Sequence, residues 1–433
     1  MGSVSSGTTQ TITHAKRLSG WVAIPGDKSI SHRYAMLAGI AEGVSQIHAF
    51  ADSVDCQSTL ECLKKLGVKI GRQGSEVTIE GAGLEGLRPS VEPLDAGNSG
   101  STIRMLSGIL SGQSFRTVIG GDASLSRRPM KRIMEPLGRM GARIQSSEGG
   151  LPPLTIEGGS LVPIHYELPV ASAQVKTAVL FAGLYADGVT EVVEPHPARD
   201  HSEIALKQFG AEVGSRSRTI SVRGRSRLAA QELTVPGDIS SAAFFVVAGL
   251  LVPGSELTFH DIGLNPTRTA IVEFLRSIGG DITILNCESR NGERVGSVRV
   301  RASSLRGGEI PMEAIPGLID ELPVLAVLGT QTEEGLVFRG AQELRVKESD
   351  RIVAVAENLR KMGAEVEEFP DGLRIPGRQR LKGADISSYE DHRIAMAFSI
   401  AGLIADGTTT INDSDCVQIS FPTFFETIAR AAR

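Results

Sequence analysis

Cysteine is scarce: the 433 residues include only Cys56, Cys62, Cys287 and Cys416. They form no C-x-x-C pair and no short cluster with histidine, which excludes a zinc site or a disulfide framework and fits a reducing cytoplasm. Aromatic residues make up 4% of the chain, too few for base-stacking platforms. Lys plus Arg (45) against Asp plus Glu (50) leaves a net charge of −5, so no charge excess holds the chain to nucleic acid. The longest apolar run, Ala242 to Val252, is 11 residues long and stops at Pro253, short of the ~18 that span a bilayer. No apolar signal core follows Met1. A soluble cytoplasmic protein is expected, with neither a membrane nor a nucleic-acid partner, and residues 1 to about 10 are read as a flexible tail. The phosphate loop G-x-x-x-x-G-K-[ST] is absent as well, which excludes phosphotransfer of that nucleotide-binding type.

Glycine, by contrast, is abundant, at 49 residues where ~7% of a chain is usual. Its placement reveals a repeat. An apolar helix, a glycine turn and a β-type run recur six times, in LAGIAEGVSQIHAF, LSGILSGQSFRTVI, LFAGLYADGVTEVV, VVAGLLVPGSELTF, LAVLGTQTEEGLVF and SIAGLIADGTTTIN. The turn glycines, Gly43, Gly112, Gly188, Gly254, Gly335 and Gly407, lie 66 to 81 residues apart. Between these copies runs a second phrase, a helix ended by glycine and followed by a strand: KKLGVKI, GRMGARI, KQFGAEV, RSIGGDI and RKMGAEV. Gly67, Gly141, Gly210, Gly279 and Gly363 fit the left-handed C′ position that ends a helix. The sixth unit has no such strand, because the chain ends, and the segment Thr11–Leu18 is expected to complete it.

Pro25-Gly26-Asp27 and Pro236-Gly237-Asp238 divide the six units into two sets of three. Each is read as a crossing between domains, giving a discontinuous lobe of residues 1–24 and 238–433 and an inserted lobe of 25–237, joined by hinges that open and close. Every unit's first helix begins with small polar residues, where free N–H groups and the helix dipole favour anions. Capping explains the Ser and Asp there. It does not explain the cations Lys28, Arg33, Arg104, Arg128, Lys176, Arg345, Lys347, Arg351 and Arg393, which suit a small substrate carrying carboxylate and phosphate groups.

The segments GDKSISHR, GNSGSTIRM, SRRPM, ASAQVK, IDELP, RVKESDR and YEDHRIAM, in this order across nearly the whole chain, resemble the 3-phosphoshikimate 1-carboxyvinyltransferase (EPSP synthase) family. The resemblance implies a two-lobed, inside-out α/β fold of six βαβαββ repeats with its active site between the lobes. It also implies transfer of the enolpyruvyl group of phosphoenolpyruvate to the 5-hydroxyl of shikimate 3-phosphate by a monomer, a step of aromatic amino acid biosynthesis that requires no metal or organic cofactor. Lys28, Ser29, Arg33, Ser172, Ala173, Gln174, Asp320 and Lys347 then resemble shikimate 3-phosphate ligands. Lys28, Gly100, Arg128, Gln174, Arg351 and Arg393 resemble phosphoenolpyruvate ligands. Asp320 is the expected proton acceptor and Glu348 the expected proton donor, with Lys28 as the third catalytic residue; read without the family, Asp320 is a helix cap and Glu348 an exposed partner of Arg351.

Three features depart from the commonest family pattern. Ala173 stands where a Ser is frequent, Arg199 stands near where many members present a Ser to the shikimate phosphate and its guanidinium is expected to bind that phosphate instead, and QISFP lacks a Lys that many members place before the corresponding FP. These resemble the sub-group with glyphosate-tolerant members, yet Gly100 lacks the methyl that crowds the inhibitor, so glyphosate is expected to enter. The alternatives are the sister transferase that uses UDP-N-acetylglucosamine, whose loop cysteine has no counterpart in GGDASLSRRP, and a non-catalytic anion-binding protein of the same fold.

Overall fold

Among the described residues, six helices are buried on nearly every side. In Ile239–Leu251, buried residues run without a break from Ile239 to Leu250. In Lys28–Ile40 burial is continuous from Ile30 onward. A helix apolar all round belongs inside a domain. The computed structural model describes residues 8–432 and places each such helix against others of its kind. In one unit Lys28–Ile40, Gly100–Ser111 and Ala173–Gly183 pack in succession, and in the other Ile239–Leu251, Leu322–Gly329 and His392–Ile404 pack pairwise. Gly108 permits one of these approaches: a Cβ there would lie 2.1 Å from the Ala178 carbonyl oxygen. Amphipathic helices such as Lys131–Arg139 and Phe424–Ala431 alternate with them.

Each central helix runs into a strand of its own small sheet. Among the described residues, five sheets have four strands and the sixth has three. In the first, Glu232–Thr234 lies parallel to Glu42–His48, which pairs antiparallel with Glu76–Ala82, which pairs antiparallel with Lys69–Gln73. The three-stranded sheet contains Gln10–Thr13, Thr408–Asn412 and Asp385–Ser387. The N-terminal strand completes the sixth repeat, as the sequence predicts, but it starts at Gln10, and Ser414 N–H donates to the Thr8 carbonyl. The expected tail is therefore structured from Thr8 onward; its first seven residues lie outside those described. The C′ glycines also behave as expected, with φ between 82° and 112° at Gly67, Gly141, Gly210, Gly279 and Gly363. Gly112 differs, since it closes its helix at φ −87°.

Contacts divide the chain into two units. One consists of the chain up to Pro25, Gly237–Glu288 and the chain from Arg294; the other is Gly26–Pro236 with Ser289–Glu293. The expected boundaries did not include this last five-residue segment. Around the two Pro-Gly-Asp sequences the edge strands are exchanged: Ser19–Val22, which leads into helix Lys28–Ile40, pairs with Glu256–Gly263, whereas Glu232–Thr234, which leads into Ile239–Leu251, pairs with Glu42–His48. The backbone closes both crossings in the same way, Asp27 N–H donating to the Pro236 carbonyl at 2.7 Å and Asp238 N–H to that of Pro25 at 2.9 Å.

Candidate active site

In the unit containing Gly26–Pro236, the starts of the three central helices carry the predicted cations. Asp27, Ser99 and Ser172 cap them, each side chain accepting from an N–H of the first turn. Lys28 Nζ pairs with Asp55 at 2.8 Å. Arg33 is buried and knits three helices, donating to Ser202 Oγ at 2.7 Å, Thr177 Oγ1 at 2.9 Å and the Ser29 carbonyl at 2.8 Å. Gln174 bridges two helix starts: its Oε1 accepts from Arg104 Nη1 at 2.9 Å and its Nε2 donates to Ser101 Oγ at 3.0 Å. Arg128 is held by the Asn98 side chain at 2.8 Å, the Asn98 carbonyl and Ser124. Gly100 sits between two guanidiniums, since a Cβ there would lie 2.7 Å from Arg104 Nη1 and 3.6 Å from Arg128 Nη1. Ser29, Ser172, Ala173 and Arg199 are half-buried.

A buried chain of hydroxyls stands behind this cluster. Thr102 donates to Ser99, Thr59 lies 2.7 Å from Thr102, and His32 Nδ1 lies 2.7 Å from Thr59. Thr102 spends its proton on Ser99, so Thr59 donates to Thr102 and His32 donates from Nδ1. Burial, with Lys28 and Arg33 nearby, holds the His32 pKa well below its ordinary value, in keeping with a neutral ring.

In the other unit, Arg351 organises the site. It is 1% exposed and faces three carboxylates: Asp391, held from Nε at 2.8 Å and Nη2 at 3.1 Å; Glu348, at 2.6 Å from Nη2; and Asp320, at 3.7 Å from Nη1. Burial alone would lower its pKa, but the three carboxylates outweigh that and raise it. Nη1 is buried without a hydrogen bond, which leaves it the donor open to a further acceptor. Arg393 donates from Nη1 to the Asp320 carbonyl at 2.8 Å and brings Nη2 to 3.7 Å from the Asp320 carboxylate. Lys347 is half-buried at the end of the short 3-10 helix Gln342–Val346.

The capping reading of Asp320 is corrected, because helix Leu322–Gly329 begins two residues later and has no side-chain cap. Glu348 is not an exposed ion-pair member either, since its own side chain is 17% exposed and that of its partner Arg351 is 1% exposed. Two predicted cations stand apart from this chemistry. Lys176 is fully buried, 2.6 Å from Glu203 and 2.9 Å from Glu194; burial raises the Glu194 pKa despite the opposing ammonium. Arg345 is taken up by Asp350, Glu368 and the Pro370 and Phe369 carbonyls. A 570 Å³ cavity borders Ile40, at the opposite end of helix Lys28–Ile40 from Lys28, and its Arg225 and Arg227 pair with Glu85 and Glu42.

The sequence profile described as EPSP synthase (3-phosphoshikimate 1-carboxyvinyltransferase) matches residues 12–428. The chain belongs to the EPSP synthase family. It is 55% identical to the 3-phosphoshikimate 1-carboxyvinyltransferase of Solibacter usitatus, over 97% of this chain and 99% of the relative. To that of Bacillus cereus (strain ATCC 10987 / NRS 248) it is 49% identical, over 96% and 97%. Among solved structures it resembles an EPSP synthase from Acinetobacter baumannii with a TM-score of 0.88 and 43% identity, over 98% of both chains. The fold expected for an EPSP synthase is thus the fold found.

Within this EPSP synthase family member, the residues that hold the predicted ligands in place went unread in the sequence. Asp391, Asp55, Asn98, Ser202 and Thr177 are paired over long separations. Asp391 alone left a signal, as the capping residue of YEDHRIAM. Cysteine contributes no nucleophile among the buried thiols: burial pushes Cys56, Cys62 and Cys416 up to about 12. Among the described residues no group of three or more His, Cys, Asp or Glu could hold a metal ion, and no helix is long and apolar enough to cross a membrane.

Proposed function

We infer that this chain transfers the enolpyruvyl group of phosphoenolpyruvate to the 5-hydroxyl of shikimate 3-phosphate and releases phosphate. The observation that carries the reading is a division of labour between the two clusters. Around the helix starts at Lys28, Gly100 and Ala173, the cations Lys28, Arg33, Arg104 and Arg128 outnumber the acids Asp27 and Asp55 that accompany them, as binding of two anions requires. Around Arg351, carboxylates and guanidiniums are interleaved, as proton transfer beside an anion requires.

In this reading Lys28, Ser29, Arg33, Ser172, Ala173, Gln174 and Arg199 receive shikimate 3-phosphate, whose hydroxyls meet Asp320 and Lys347. Gly100 and Arg128 receive the phosphate of phosphoenolpyruvate, with Lys28 and Gln174 reaching both substrates, while Arg393 and the open Nη1 of Arg351 receive its carboxylate. Asp320 takes the proton of the 5-hydroxyl as the oxygen bonds to C2 of phosphoenolpyruvate, and Glu348 gives a proton to the methylene carbon. The resulting tetrahedral intermediate then loses phosphate from C2, which carries off the proton held by Asp320, while the methyl carbon returns a proton to Glu348, restoring the double bond and both carboxyl groups. Lys28 offsets the charge that develops between the substrates. The room at Gly100 also admits glyphosate. We further propose that the enzyme works as a cytoplasmic monomer, a setting compatible with its unpaired cysteines.

Arg128→Ala tests the donor assignment. Losing charged hydrogen bonds of about 1.5–3 kcal/mol each is expected to raise the KM for phosphoenolpyruvate by about tenfold to a hundredfold, with the KM for shikimate 3-phosphate within about twofold. Steady-state kinetics with each substrate varied in turn reads this, and an unchanged KM for phosphoenolpyruvate contradicts the assignment.

A further inference from the structure

Strands Asp281–Arg290 and Glu293–Arg301 form a long hairpin. It turns through Asn291 and Gly292, both left-handed at φ 49° and 78°, the two-residue turn that suits twisted antiparallel strands. The hairpin's sheet belongs to the unit from Arg294 onward, yet Ser289–Glu293 belongs to the unit containing Gly26–Pro236. Three contacts seat it there. Asn291 Oδ1 accepts from Thr234 N–H at 3.0 Å, satisfying a donor on the edge strand Glu232–Thr234. Gly292 meets helix His201–Gln208 so closely that a Cβ would lie 2.9 Å from Ile204 Cγ2. Glu293 Oε1 lies 2.6 Å from His201 Nδ1, and each side chain is 2% exposed.

A hairpin tip normally leaves its charges in water, and burying a carboxylate is costly, so Glu293 needs a reason to be inside. Helix His201–Gln208 lacks a side-chain capping bond of its own at Asp200; the pair with Glu293 fixes its first residue instead. The next residue, Ser202, accepts from Arg33 Nε at 2.7 Å and lies 2.5 Å from Thr177 Oγ1. Arg199 is two residues upstream of His201.

We infer that Glu293 is a positioning residue for the shikimate 3-phosphate site, acting through His201 on Ser202 and Arg33 and on the segment that carries Arg199. This inference rests on the proposed ligand roles of Arg33 and Arg199. The test is steady-state kinetics of Glu293→Ala, Glu293→Gln, Arg199→Ala and the double variant Glu293→Ala/Arg199→Ala.

Glu293→Ala is expected to raise the KM for shikimate 3-phosphate about tenfold, the effect of losing one well-placed buried hydrogen bond, with the KM for phosphoenolpyruvate within about twofold. Glu293→Gln keeps an acceptor for the His201 Nδ1–H and is expected to recover the KM to within about threefold. In the double variant the two effects are expected to fall short of adding, as they do for coupled groups. A normal KM in Glu293→Ala beside a raised KM in Arg199→Ala overturns the inference and leaves the site reading intact. Equal KM increases for both substrates show a purely structural role and overturn it too. A normal KM in Arg199→Ala removes the site reading and the inference with it. If Glu293→Ala does not fold, His201→Gln is measured in its place and read by the same outcomes.

Discussion

Replacing Arg351 with alanine is expected to destabilise the unit that contains it by about 3–5 kcal/mol, the usual cost of removing one partner from a buried ionic cluster, and to abolish measurable turnover. The guanidinium is 1% exposed and is shared by Asp391, Glu348 and Asp320. Without it, Asp391, which is fully buried, loses its counter-charge and is left with the Ser349 hydroxyl and the Arg393 N–H as donors. Arg351→Lys is expected to rescue little, because an ammonium cannot reproduce the forked contact with Asp391. Urea unfolding of both variants reads the stability change. A midpoint equal to that of the unsubstituted protein contradicts the picture of Arg351 as the centre of this cluster.

Asp320→Asn is expected to leave the fold intact and lower kcat by about 10²–10⁴-fold, the range for losing a general base. The side chain keeps its size and its oxygen can still face Arg351 and Arg393, so the loss belongs to proton transfer. Pre-steady-state phosphate release is expected to slow with kcat, while the KM for shikimate 3-phosphate changes by less than about fivefold, the pattern of an interaction used chiefly in the transition state. A kcat within about tenfold of normal assigns Asp320 to charge balance alone and moves the search for the base to its neighbours.

The repeat was legible because glycine punctuates it. The five C′ glycines and five of the six turn glycines take positive φ, a local demand that a single sequence displays directly. The N-terminal strand followed from counting, since five copies of a six-part pattern leave one partner to supply, although its start at Gln10 lay inside the stretch read as tail. Burial and pairing were less legible. Lys176 and Arg128 both look like cations near helix starts; only the fold shows that Lys176 faces Glu194 and Glu203 while Arg128 lies beside Gly100. Asp320 looks like a cap, and only the fold shows that its helix begins two residues later. The docked hairpin tip was missed although Asn291-Gly292 is a strong turn signal: sequence indicates that a turn forms, not what it rests on.

The central claim is that this chain moves an enolpyruvyl group onto shikimate 3-phosphate. Phosphate release from phosphoenolpyruvate, measured without added metal and with either shikimate 3-phosphate or UDP-N-acetylglucosamine as acceptor, tests it most directly. Release with shikimate 3-phosphate only, accompanied by the vinyl ether product, is the predicted result. Release only with UDP-N-acetylglucosamine, or with neither acceptor while both anions still bind in calorimetry, contradicts it.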